Sequence, residues 1–162
     1  MSSHSQQESS QKLNTGEQLL FILAEHRLCL PISAVSEVLS STSLRPVPFA
    51  APHIAGLVSV RSLAWPVIDL HNLLFCRAPI NFDPTGCAYI ALAEQQIVLA
   101  VDKVLGIEPL EPQECSPGNT ALSITSELDF KSHEDLLFRQ VSVDGLLSAL
   151  TQAVDQTTDF TS

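Results

Sequence analysis

Apolar residues in this chain come in short runs separated by brief polar breaks, the spacing of strands more than of helices. "QLLFILAEHRLCLPI" is two such runs around a short polar turn. That is a hairpin signature, although "AEH" is a weak turn sequence. In "SAVSEVLSS", Ser33 is placed to cap a short helix that puts Val35, Val38 and Leu39 on one face. "LRPVPFAAPH" is a proline-rich connector and cannot be regular helix. "GLVSVRSLAWPVIDL", residues 56–70, is almost wholly apolar and strand-like, with one charge, Arg61, near its middle. Pro66 fits such a strand where its missing N–H faces an edge or a bulge. "HNLLFCRAPINFDPTG" ends in a loop, and "CAYIALAEQQIVLAVDKVLGIEPL" reads as a second hairpin running into a further strand. "EPQECSPGNTALSITSELDFKSHED" reads as irregular and polar. "LLFRQVSV" is the last strand, and Asp144 then looks like the N-cap of a helix with the stripe Leu146, Leu147, Leu150 and Val154.

The two hairpins resemble each other. "LAEHRLCLPI" begins at Leu23 and "LAEQQIVLAV" at Leu92, an offset of 69 residues, 92 − 23. Chance likeness between apolar hairpins and descent from two related β lobes both fit. On either reading the many short strands and frequent prolines indicate a mainly β barrel or sandwich. The length, 162 residues, suits one domain or two small lobes sharing a core. Residues 1–16, rich in Ser and Gln, are expected to be a disordered tail, 17–154 the ordered unit, and 155–162 a flexible C-terminal tail.

Charge narrows the partners. The net charge is −10, with eight scattered Lys and Arg, so no nucleic-acid or anionic-membrane contact is expected. No apolar run is long enough to span a bilayer and the first eighteen residues lack a signal-peptide core, so no membrane insertion and a cytoplasmic location are expected. Cys29, Cys76, Cys87 and Cys115 form no CxxC and read as reduced thiols. The loose set His53, His71, Cys76 and Cys87 matches no zinc spacing, so no metal or cofactor is expected. Asp69 has no second carboxylate at a short fixed spacing. It reads as a strand-end residue bonding a neighbouring backbone N–H rather than as a catalytic one. Without a GxSxG, a phosphate loop or HExxH, no enzyme is expected. A chain with this little visible chemistry and this much apolar surface reads as a protein-binding domain.

"FILAEHRLCLPISAVSEVL", "RPVPFAAPHIAGLVSVRSLAWPVIDL", "YIALAEQQIVLAVDKVLGIEPL" and "LLFRQVSVDGLL" resemble, in order, the blocks of the CheW-like domain family over about residues 18–152. In the middle block the prolines, Gly56, Arg61, Pro66 and Asp69 fall at the family's spacing. The resemblance implies two packed five-stranded SH3-like β barrels with short helices. It implies a non-catalytic adaptor, without cofactor, that couples the cytoplasmic tip of a methyl-accepting chemoreceptor to a CheA-type histidine kinase in chemotaxis or related two-component signalling. Carried over by position, receptor binding falls on Glu37, Arg61, Ile97 and Leu99, and kinase binding on Val35, Gly56 and Ser62. There are departures. The family's N-L-R-G reads "SVRS", with Ser59, Val60 and Ser62. The aromatic residue of the second strand is Leu28 or Cys29, and a family glycine is Val98. A serine restricts the backbone that glycine would leave free. These departures raise an alternative, a divergent scaffold serving a surface-motility (pilus-type) or other non-flagellar pathway.

Overall fold

The computed structural model describes residues 16–39, 44–75, 88–113 and 124–160. The first hairpin is β1 (Glu17–Leu23) and β2 (His26–Pro31), joined through Ala24 and Glu25. Its weak turn sequence is held from outside. Ala24 has a positive φ of 56°, and its N–H donates to the Asp102 carboxylate. Next, a 3₁₀ turn (Ile32–Ala34) leads into β3 (Val35–Leu39), not into the helix expected from Ser33 onward. Five residues rich in valine pair better than they coil. A bulge between Val35 and Glu37 offsets the alternation of faces, which is what imitated helical spacing.

The 56–70 stretch is not one strand. It is the greater part of a hairpin, β4 (Ile54–Val60) and β5 (Leu63–Asp69), and it ends at the first residue of α1 (Leu70–Phe75). Asp69 caps that helix, its Oδ1 accepting the Asn72 N–H at 3.3 Å, as expected of a strand-end aspartate. Then come β6 (Ala88–Leu92), β7 (Ile97–Val101), β8 (Lys103–Pro109) and β9 (Glu111–Gln113). The last strands are β10 (Thr125–Lys131) and β11 (Leu137–Val141), followed by α2 (Val143–Phe160). The region expected to be irregular thus supplies β9 and β10. The helix continues to Phe160, through positions 155–160 that were expected to form a tail. Its cap is Ser142, whose hydroxyl accepts the Gly145 N–H at 3.1 Å; Asp144 lies inside the first turn. The buried stripe differs from the expected one. Val143, Leu146, Ala149 and Leu150 face the core, and Leu147 is exposed. The expected N-terminal tail, apart from Gly16, lies outside the described residues.

Two sheets result, in the orders β8-β1-β2-β11-β10-β9 and β3-β6-β7-β5-β4. Apart from β9 the two orders are equivalent. Each has a hairpin (β1/β2, β6/β7) whose second strand pairs in parallel with the second strand of another hairpin (β10/β11, β4/β5). The two hairpins that look alike in sequence occupy the same place in their own sheets, with turns of different length.

Both sheets close. In the first, β8 and β9 are opposite edges yet are separated by Leu110 alone, so the sheet curls into a barrel. In the second, the chain leaves edge strand β3 at Leu39, and by Arg45 it is bonded to the opposite edge strand, β4. Arg45 N–H donates to Leu57 C=O and Leu57 N–H to Arg45 C=O, both at 2.8 Å. Leu57 uses both its backbone groups on Arg45, so its pairing with Pro66 is a non-hydrogen-bonded one. The proline nitrogen therefore points toward β7, whose ladder with β5 begins only at Val67. Pro66 sits at a local edge inside a central strand.

Closure explains the continuous apolar runs. One face of each sheet fills its own barrel: Val58, Val60, Trp65, Val67, Tyr89 and Val98 in the second, and Leu20, Cys29, Leu110, Phe130 and Phe138 in the first. The opposite faces meet in a shared core of Leu19, Phe21, Leu28, Ile68, Ile90 and Leu99, joined by Leu146 of α2. Strands buried on both faces do not alternate. Asp102, the one residue between β7 and β8, stands where the chain crosses from one barrel to the other. Its carboxylate also meets His71 Nε2 of α1 at 2.9 Å.

Candidate docking surface

Arg61 and Ser62 are the two residues between paired Val60 and Leu63, with φ of 51° and 69°. Two left-handed residues in a two-residue hairpin loop make a type I′ turn, the turn whose twist matches the flanking strands. Asn-Gly is the favoured sequence there, and Arg-Ser carries no such signal, so the stretch reads as one strand. The structure answers why a lone arginine interrupts an apolar run: Arg61 is the apex of a hairpin. Its side chain is exposed, and it forms no ion pair among the described residues. Ser62 keeps the left-handed backbone that the family's glycine would adopt more easily.

The other expected site residues divide. Glu37 and Val35 lie half-buried on β3, and Ile97 half-buried at the start of β7. Val35 pairs with Leu92, and Leu92 with Ile97. One row across three strands thus places Val35 and Ile97 on the same face about 9–10 Å apart, although they were expected on two different surfaces. Two expectations need correction. Leu99 is 0% exposed in the shared core, so its side chain cannot meet a partner. Gly56 is buried beneath the Arg45 bridge, where a Cβ would stand 2.5 Å from the Arg45 carbonyl oxygen and 3.0 Å from the Leu44 side chain. Its glycine lets the barrel close, and the surface over it belongs to Leu44 and Arg45. In the sequence those residues read as plain connector. The one hint of their role was the glycine itself, since close approach of a second backbone is a standard reason for glycine within a strand.

The charged pair buried among the described residues has structural work. Asp129 and Arg139 form an ion pair, Oδ1 to Nε at 2.8 Å, almost wholly out of water. Beside it burial, with the Asp129 charge second, pushes the Cys29 thiol up to about 12, which makes it unreactive. Burial lowers the pKa of His53. His71 is engaged with Asp102, and among the described residues no three His, Cys, Asp or Glu side chains converge as a metal site. Cys76, Cys87 and Cys115 lie outside the described residues. Among those residues, no helix is long and apolar enough to cross a membrane.

The comparisons agree with this architecture. The chain is 27% identical over 108 residues, 64% of its own length and 68% of the relative's, to the chemotaxis protein CheW of Rhizobium meliloti (strain 1021). Among solved structures it is similar to the scaffolding protein TtCheW from Thermoanaerobacter tengcongensis. The TM-score is 0.63 and the identity 24%, over 78% of this chain and 88% of that one, a likeness of fold. The family model of the CheW-like domain matches residues 17–129, from the first strand into β10. With well over half its length inside that match, and with the paired barrels in place, the chain belongs to the CheW-like domain family.

Proposed function

We propose that this chain is a non-catalytic, cytoplasmic adaptor that couples methyl-accepting chemoreceptors to a CheA-type histidine kinase. The observation that carries the reading is Arg61. Within a CheW-like domain, a guanidinium stands at the apex of a rigid I′ turn, exposed and unpaired among the described residues. Its planar fork suits a bidentate carboxylate or amide on a helical partner. Receptor binding is assigned to Arg61 with Glu37 and Ile97, and kinase binding to Val35 and Ser62. The relative named a chemotaxis protein and the solved structure named a scaffolding protein support a coupling role. The departures that raised a surface-motility scaffold have local explanations. Ser62 still forms the turn, and Val98 fills the second barrel.

The test measures binding of purified chain, wild type and Arg61→Glu, to the receptor cytoplasmic fragment and the full-length kinase of the same organism. Kinase autophosphorylation in the three-component mixture is followed alongside. The expected result is receptor-dependent kinase control with the wild type, and loss of receptor binding with Arg61→Glu at an unchanged melting midpoint. Unaltered receptor binding by a folded Arg61→Glu would remove Arg61 from the interface.

A further inference from the structure

Acidic residues are distributed unevenly. From Val38 to Ile68 the chain has two arginines and no Asp or Glu, +2, which leaves −12 of the net −10 for the remainder. Four of the exposed large hydrophobic residues, Val38, Val47, Phe49 and Leu63, lie in that same stretch. Phe49 is the extreme case. It is 106% exposed and has a φ of 62°, a left-handed backbone that a bulky side chain rarely adopts. Its loop is braced by Pro46, Pro48 and Pro52 and by the Ala50 N–H to Val47 C=O bond. At its base Arg45 is fixed to Leu57 by two backbone bonds. A strained aromatic residue with no burial to offset the strain is what a pre-set binding residue looks like.

We propose that the Arg45–Pro52 loop is a second docking element, distinct from the Arg61 turn, with Phe49 as its anchor. Its occupant is a protein surface with an apolar pocket bordered by carboxylates. Phe49 fills the pocket, and Arg45, exposed beside the loop, meets the acidic rim. Two molecules of net −10 repel as they approach, which disfavours a second copy of this chain although its remainder is acidic. The same charge argues against an anionic lipid surface. The choice of probes rests on the coupling reading above.

The experiment uses the full chain and titrates wild type, Phe49→Ser, Phe49→Gly, Arg45→Glu and Arg61→Glu separately into the purified kinase and the purified receptor fragment. Phe49→Ser is expected to weaken one of the two by at least about tenfold, the scale of an aromatic hot spot, and to leave the other within error. Arg45→Glu weakens the same partner, less so as salt rises. Phe49→Gly loses the same affinity yet melts higher than wild type, because the strain is relieved; a merely structural Phe49 could not give that pairing. Wild-type binding of both probes by Phe49→Ser overturns the proposal. So does a wild-type dimer that Phe49→Ser converts to monomer, which would make a second copy the occupant. If Arg61→Glu binds both probes normally while Phe49→Ser loses one, the Arg61 assignment fails and this one stands. If the wild type binds neither probe, both fall.

Discussion

Gly56→Ala tests whether this position closes a barrel or touches a partner. A methyl group at residue 56 would lie 2.5 Å from the Arg45 carbonyl oxygen, against an ordinary contact of 3.4–4 Å. That oxygen accepts the Leu57 N–H at 2.8 Å, so displacing it opens the bridge that joins the two edges of the second barrel. Overpacking a filled site costs about 1–3 kcal/mol, and the lost backbone bond about 1 kcal/mol. Gly106→Ala is the control. Gly106 has a similar φ, 148° against 157°, but a Cβ there meets nothing within 4 Å. Backbone strain and the unfolded-chain effect of replacing glycine therefore nearly cancel between the two variants, and the difference isolates the clash. Gly56→Ala should be less stable than Gly106→Ala by about 2–4 kcal/mol in urea titrations. In a chain of this size that corresponds to a melting midpoint about 5–15 °C lower. The Leu57 amide should lose protection in hydrogen exchange while the β1/β2 amides keep theirs. Coincident melting of the two variants, with Leu57 still protected, would refute the closure argument.

Three more outcomes follow from particular side chains. Asp129→Asn removes the carboxylate that the buried Arg139 guanidinium bonds at 2.8 Å and should cost about 3–5 kcal/mol in chemical denaturation; a loss near zero would mean the pair is hydrated in solution. Ser62→Gly removes a left-handed serine from the Arg61 turn and should raise stability by about 0.5–1 kcal/mol, with Arg61 still at the apex; a lower melting midpoint would contradict the I′ assignment. His53, lowered by burial from its free value of 6.5, takes up its proton in the unfolded chain first as pH falls. Its stability contribution is therefore complete above about pH 6.5 and is lost as pH falls through the lower folded value, so midpoints measured from pH 8 to pH 5 should decline less in a His53→Asn variant than in wild type.

How much of this could be read from the chain depended on whether a segment carries its own signal. The β1/β2 and β6/β7 hairpins, the strand 137–141 and the helix after it were legible because their apolar runs and polar breaks are local. Val35–Leu39 misled, because the bulge that shifts its faces is fixed by pairing with β6 rather than by its own residues. The β4–β5 turn was hidden by Arg61 and Ser62, which hold positive φ without Asn or Gly. The surrounding ladder supplies what the turn sequence lacks, as the Asp102 carboxylate does for Ala24. In the candidate site, position along a family pattern located the Arg61 apex but could not tell surface from core. Leu99 and Gly56 occupy family positions for reasons internal to the barrels.

That distinction bears on how such a domain can bind. A sheet with open edges offers backbone groups to any passing strand, and binding there tends toward aggregation. Here β8 bends through Leu110 into β9 on the far edge of its own sheet, and the Arg45 bridge does the same for the second barrel. Closing the edges leaves recognition to side chains, on turns, on connectors and at half-buried strand positions such as Glu37 and Ile97, rather than to open backbone groups. The proposed coupling role would need that restriction, because each contact would have to be specific and reversible. The residues on these turns then hold unfavourable backbone angles while the strands beneath supply the stability. The strained positions Phe49 and Arg61 should accordingly gain stability and lose binding when replaced by glycine, whereas the same exchange at the buried strand residue Val98 should only destabilise. If all three glycine variants lose stability together, the division of labour between closed barrels and presenting loops is wrong.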